Sequence, residues 1–293
     1  MTNIISLHSE LVEKIYVHSA YQHFRISDPK PRDIHKASVR DRLLHHALHR
    51  KLSPFFAQTF ISDSNSCQHG KGTHRALRRF RKFIGIVSEN NTRTVWVLKC
   101  DIRKFFANID HAVLLNMAVK YIPDQDILNL LSVIVRSFHS QKASVGLPLG
   151  NLTSQLLVNI YMNEFDQFIQ HRLKAKYYLR YADDFAVLST NKAYLETILP
   201  AMQGFLETKL KLSMHPDKIS IQTVASGVDF LGWVHFPDHQ VLRTTTKKRM
   251  FRNIKAKDSK EETVQSYLGL ISHGNSWKLQ QKVIEIKNET QNH

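Results

Sequence analysis

The sequence predicts an α/β fold of the α+β kind, in which short strands and longer amphipathic helices share one chain. Three observations predict it. Lys176-Tyr177-Tyr178-Leu179-Arg180-Tyr181 and Phe185-Ala186-Val187-Leu188 read as two strands joined at Ala182-Asp183-Asp184, a tight hairpin with the acids at its tip. In residues 94–101, alternation sets Val95, Val97, Lys99 and Asp101 on one strand face and Trp96, Leu98 and Cys100 on the other. Residues 153–173 read as a long helix whose stripe is Leu156, Leu157, Ile160, Tyr161, Phe165, Phe168 and Ile169. At 293 residues and 42% hydrophobic, the chain can bury a substantial core as one large or two ordinary domains.

The remaining elements follow along the chain. Ile4, Leu7, Leu11 and Ile15, with Val12 and Tyr16 beside them, recur at helical spacing. Asp28-Pro29-Lys30-Pro31-Arg32 cannot be helical, because each proline pushes its predecessor toward extended geometry. A second helix is expected over 39–52. Arg75, Arg78, Arg79 and Lys82 then fall on one helical stripe opposite Leu77, Phe80 and Ile84. Such a cationic surface can track phosphates without reading sequence. Residues 192–210 read as an amphipathic helix despite Pro200, and 212–221 as two short strands around His215-Pro216-Asp217. Lys247, Lys248, Arg249, Arg252, Lys255 and Lys257 make a dense positive segment suited to a nucleic-acid duplex. Leu268, Ile271 and Trp277 suggest a small helical core, and the polar tail after Ile286 is expected to fray.

The acids carry the chemistry. Asp101, Asp183 and Asp184 are three carboxylates brought together from neighbouring strands, a pattern that suits a pair of divalent ions in phosphoryl transfer. Magnesium takes hard oxygen ligands and uses only one or two carboxylates, leaving water and substrate phosphates to complete its shell. The balance of 41 Lys plus Arg against 25 Asp plus Glu, a net charge of +16, points to a polyanionic partner. No stretch approaches the roughly 18 apolar residues of a membrane span, and the first ten residues lack the form of a signal peptide. A cytoplasmic protein without membrane contact is expected. Cys67 and Cys100 are too few for a disulfide framework, and Cys67, His69 and His74 fall one ligand short of a closed zinc site.

Five blocks in order carry a resemblance: Val39-Arg-Asp-Arg-Leu-Leu-His-His-Ala-Leu48, Asp101-Ile-Arg-Lys-Phe-Phe-Ala-Asn-Ile-Asp-His111, Gly146-Leu-Pro-Leu-Gly-Asn-Leu-Thr-Ser-Gln155, Tyr181-Ala-Asp-Asp184 and Val228-Asp-Phe-Leu-Gly-Trp233. Together they span nearly the whole chain, which resembles the reverse transcriptases of bacterial retroelements. The resemblance implies a right-hand polymerase fold: fingers over 1–95, palm over 96–242 with an antiparallel sheet packed on helices and further fingers helices at 112–144, and a small helical thumb over 243–293. It implies an RNA-directed DNA polymerase that extends a DNA or RNA primer on an RNA template, joining deoxynucleoside triphosphates into cDNA.

Residue by residue, the resemblance implies that Asp101, Asp183 and Asp184 are catalytic and hold two Mg2+ ions, for which Mn2+ can substitute. The backbone carbonyl of Ile102 is an extra ligand, and Asp183 is expected to bind both ions more directly than Asp184. Lys30 and Arg32 would contact the incoming triphosphate, and Phe106 would exclude a 2′-hydroxyl by its bulk. Leu149 and Gly150 would lie near the nascent pair, and Lys218 would protonate departing pyrophosphate. Template and primer would fall to Arg75, Arg78, Arg79 and Lys82, to Gln155, which shares a polar helix side with Asn159, and to Gly232 and Trp233 of a hairpin that grips the primer end.

One block departs from most of the family. Leu149-Gly150 stands where most reverse transcriptases carry Gln-Gly, and Ser154-Gln155 where they carry Ser-Pro. This variant is similar to the enzymes of diversity-generating retroelements, which copy an RNA repeat with errors at adenines and generally work with a small basic accessory protein. Leucine supplies shape where glutamine could reject misfits by leaving polar groups unpaired. The other readings are a reverse transcriptase of a defence system or degenerate group II intron lineage, a catalytically idle RNA-binding scaffold, and a nucleotide cyclase. A cyclase leaves the basic helix unexplained, and crowded carboxylates without a cation argue against an idle scaffold.

Overall fold

The computed structural model describes residues 2–27, 31–256 and 260–291. Lys30 and Lys257 lie outside them. The chain opens with α1 (Thr2–Val12), β1 (Gln22–Ile26), β2 (Arg32–Lys36), α2 (Val39–Ala57), α3 (Thr73–Val87) and β3 (Trp96–Asp101). It continues through α4 (His111–Tyr121), α5 (Gln125–Arg136), α6 (Leu152–Gln167), β4 (Tyr178–Tyr181), β5 (Asp184–Ser189) and α7 (Lys192–Leu210). It ends with β6 (Ser220–Thr223), β7 (Val228–Phe230), β8 (Trp233–His235), β9 (Gln240–Leu242), α8 (Thr244–Ala256), α9 (Glu261–Ile271) and α10 (Trp277–Gln291). Two compact units emerge, one of Met1–Ala76, Lys99–Val187 and Glu196–Ile219, the other of Leu77–Leu98, Leu188–Leu195 and Ser220–His293.

The first unit is built on α6, which is buried almost all round and packs against α2 and α4. Its neighbours start where the sequence offers caps: the side chains of Ser38, Asp110 and Asp124 accept amides in the first turns of α2, α4 and α5. β1 and β2 form an antiparallel hairpin with Ile26 opposite Arg32. β4 and β5 form a second, with Tyr181 opposite Asp184, so only Ala182 and Asp183 make the turn. Ala182 stands at φ 54°, the left-handed geometry that a two-residue hairpin asks of its first turn residue. β5 lies beside β3, and from Phe185 to Leu188 every residue is buried. The first helix is shorter than its apolar spacing suggests. It stops at Val12, before Lys14 at φ 59°, and leaves Ile4, Val12 and Ile15 exposed while Leu7 and Tyr16 are buried. Residues 212–221 hold one strand, not two: a turn of 3-10 helix occupies Pro216–Lys218, where proline fixes a helical φ.

In the second unit, β6 is followed by a turn whose Val224 amide donates to the Val95 carbonyl at 2.9 Å. β7, β8 and β9 make an antiparallel sheet, and Leu231 and Gly232, both at positive φ, turn β7 into β8. Phe80 stacks on Phe230 with ring centroids 4.9 Å apart, so α3 covers one side of that sheet. Met250, Ile254, Val264, Ile271 and Val283 are buried among α8, α9 and α10. Trp277 does not join that core: it is 68% exposed at the start of α10. The tail expected to fray continues as helix to Gln291. No described helix is long and apolar enough to cross a membrane.

Candidate active site

Backbone pairing draws the three acids together. The amide of Ile102, next to Asp101, donates to the Asp183 carbonyl at 3.1 Å, which fixes the end of β3 against the β4–β5 turn. The Asp101 carbonyl in turn accepts from the His215 amide at 2.7 Å, and the Lys218 ammonium reaches the Asp101 carboxylate at 2.8 Å. Burial first, then the negative charges of Asp184 and Asp101, push the Asp183 carboxyl up to about 6. Crowding anions in a half-buried corner is unfavourable until a cation neutralises them. Among the described residues, no three His, Cys, Asp or Glu side chains close a metal cage by themselves. A magnesium site that borrows water and substrate phosphates does not need such a cage, so the donor set fits.

The acids rest on a buried network that sequence reasoning did not find. Arg180, fully buried in β4, grips Asp166 of α6 with its Nε at 2.8 Å from Oδ1 and its Nη2 at 2.7 Å from Oδ2. The same guanidinium donates to the Ala182 carbonyl at 3.1 Å and to Ser64 Oγ at 3.1 Å. Tyr178 donates to Asp166 Oδ1 at 2.6 Å. Asn159 is buried here, donating to the Ser66 carbonyl at 2.9 Å, so it does not share the outward polar side foreseen with Gln155. The one trace in the sequence is Arg180 itself, a charge between Leu179 and Tyr181 in an apolar strand; nothing there marks Asp166, which shares its helix with Glu164, as the partner.

Around the acids, the structure gathers some of the other candidates. Arg32 is exposed on β2, and the neighbouring residues of β2 touch the Leu149-Gly150 loop: the His35 amide donates to the Leu149 carbonyl at 3.0 Å. Gly150 stands at φ +104° with Ile34 so close that a Cβ would come within 2.9 Å of it. Phe106 is half-buried, and its carbonyl accepts the Leu147 amide at 2.8 Å, so it flanks the same loop, whereas Phe105 beside it is buried. Gln155 is half-exposed on α6.

The basic stripe divides. Arg78 and Lys82 are exposed on α3 and Arg79 lies over the Phe83 ring at 4.6 Å, but Arg75 is engaged with Ser62 and Asn65. In the second unit, Gly232 accepts the Arg243 amide at 3.0 Å, and Trp233 is buried with its ring pressed against Gly274.

A family model described as reverse transcriptase (RNA-dependent DNA polymerase) matches residues 27–235, well over half of the chain. The chain belongs to the reverse transcriptase family. Among its relatives is Protein YkfC of Escherichia coli, 27% identical over 258 residues that cover 75% of this chain and 66% of that protein. Another is the group II intron-encoded protein LtrA of Lactococcus lactis, 24% identical over 287 residues that cover 75% of this chain and 46% of LtrA. The chain thus spans between about a quarter and two-thirds of the length of these and other curated relatives. In fold it is similar to telomerase from Candida albicans, solved with a fragment of telomeric RNA, at a TM-score of 0.60 and 11% identity over 82% of this chain and 49% of the telomerase. This member of the family therefore has the right-hand polymerase fold, mixing helices with antiparallel sheets.

Proposed function

We propose that this reverse transcriptase synthesises cDNA on an RNA template, with Asp101, Asp183 and Asp184 as its catalytic carboxylates. The observation that carries the reading is the pairing of the Ile102 amide with the Asp183 carbonyl, which sets the acids of two segments side by side. Two Mg2+ ions held by these carboxylates and the Ile102 carbonyl would sharpen the attacking 3′-hydroxyl and neutralise the leaving pyrophosphate. The chain's own residues do the rest. Arg180 holds the turn that carries Asp183, and Lys218, 44% exposed beside Asp101, would give a proton to pyrophosphate as it leaves, a role its contact with that acid supports. Phe106 and the Leu149-Gly150 loop bound the nucleotide's sugar and base, with Arg32 toward its phosphates. Fingers, palm and thumb follow the division 1–95, 96–242 and 243–293, and Arg78, Arg79, Lys82, Gln155 and the Gly232 turn serve template and primer. Extension of a primer on RNA by the wild type, lost in Asp183→Asn and Asp184→Asn proteins of unchanged fold, supports the assignment; extension retained by both would remove it.

The finer reading is that of a diversity-generating retroelement enzyme, assisted by a small basic protein. It is favoured by Leu149, whose half-buried side chain offers no hydrogen bond beside the loop's fixed backbone. Leu149→Gln should reduce errors opposite template adenines. An accurate wild type would instead leave a defence-system or group II-related polymerase.

A further inference from the structure

Of the exposed aromatic rings to which the polymerase reading gives no role, Trp277 stands furthest into solvent among the described residues. Trp277 is 68% exposed, although the backbone that carries it is firmly held. The Ser276 carbonyl accepts the Leu279 amide at 2.8 Å, the Ser276 hydroxyl is buried against the Ile271 carbonyl, and the Asn275 amide donates to the Gln240 carbonyl at 2.9 Å. The ring borders a cleft of about 610 Å3 whose lining also includes Lys247, Lys278, Lys282 and Val241, with no acid among the described residues that line it. Lys282 is itself placed, its ammonium 5.6 Å from the Phe251 ring centre. An indole left in water beside three cations, on a rigid support, matches the parts used to bind unpaired nucleotides: a face for a base and charges for the flanking phosphates. A duplex cannot use the ring in this way, because its internal base faces are already covered by their neighbours.

We propose that this cleft binds an unpaired stretch of single-stranded RNA, one base stacked on Trp277 and the adjoining phosphates on Lys247, Lys278 and Lys282. The proposal rests on the RNA-templated reading above and adds a site remote in sequence from the acids. The test is fluorescence anisotropy with a labelled oligouridylate and, separately, a labelled RNA duplex, against wild type, Trp277→Ala, Trp277→Phe and the triple Lys247→Ala, Lys278→Ala, Lys282→Ala variant. Trp277→Ala should weaken single-strand binding about tenfold or more, the scale of a base–aromatic stack, and leave the duplex affinity unchanged. Trp277→Phe should keep most of the affinity, and the triple variant should flatten the salt slope for single strands by roughly 2. Single-strand affinity untouched by Trp277→Ala, or an equal loss on the duplex, overturns the stacking site. Primer extension by the same wild-type preparation separates the two ideas. Extension beside unchanged Trp277→Ala binding removes this site alone, whereas absence of extension removes the template reading and this proposal with it.

Discussion

Breaking the Arg180–Asp166 pair should cost more than any surface charge in this protein. Both side chains have no exposed surface, so neither water nor salt screens them, and two charge-assisted bonds of 2.8 and 2.7 Å join them. Removing one partner leaves the other as an uncompensated buried charge, at about 3–5 kcal/mol. Asp166→Asn keeps an acceptor for Tyr178, and Arg180→Met keeps much of the volume while also giving up the bonds to Ser64, Asn159 and Ala182. The double variant loses the pair only once. Its cost should fall short of the sum of the singles by about 2–3 kcal/mol, as expected of residues in direct contact. Urea unfolding of the four proteins, followed by far-ultraviolet circular dichroism, gives the cycle. Additive costs would refute the pair. Because Arg180 also holds the Ala182 carbonyl, the double variant should recover stability without recovering polymerase activity.

Three further outcomes follow from particular contacts. His235 is fully buried, and burial, with Arg81 adding, pushes its ring down to about 4, so the folded protein refuses a proton that the unfolded chain accepts near 6.5. Its contribution, up to about 3 kcal/mol, is complete above the unfolded value and is lost as pH falls from there toward 4, so His235→Leu should flatten that part of a stability–pH curve. A Cβ on Gly274 would meet the Trp233 ring at 2.0 Å, whereas one on Gly269 meets nothing within 4 Å. Gly274→Ala should therefore lower thermal stability by about 1–3 kcal/mol while Gly269→Ala, inside α9, raises it by up to about 1 kcal/mol, as melting curves would show. Phe106→Val should admit ribonucleotides about tenfold or more against deoxyribonucleotides in competition primer extension.

What the sequence made legible was local. Alternation and turn chemistry located the β4–β5 hairpin, and apolar spacing bounded α7 at Lys192–Leu210 as observed. The pairing of Ser64 with Arg180, 116 residues apart, leaves no periodic trace, and so the support beneath the acids was missed. Periodicity also says which residues share a helix face but not whether anything covers it: Ile4 and Val12 follow the pattern of a core stripe and stand in water. Trp277 failed as a core residue for the same reason. Arg75 lay on the right stripe, yet a nearby loop claimed its guanidinium.

The most direct test of the account is incorporation of deoxynucleotides onto a DNA primer annealed to a defined RNA, with magnesium and then with excess chelator, followed by sequencing of the product. The account predicts a product complementary to the RNA that disappears on chelation. No templated product with magnesium, from a folded protein that binds the primed RNA, would contradict it.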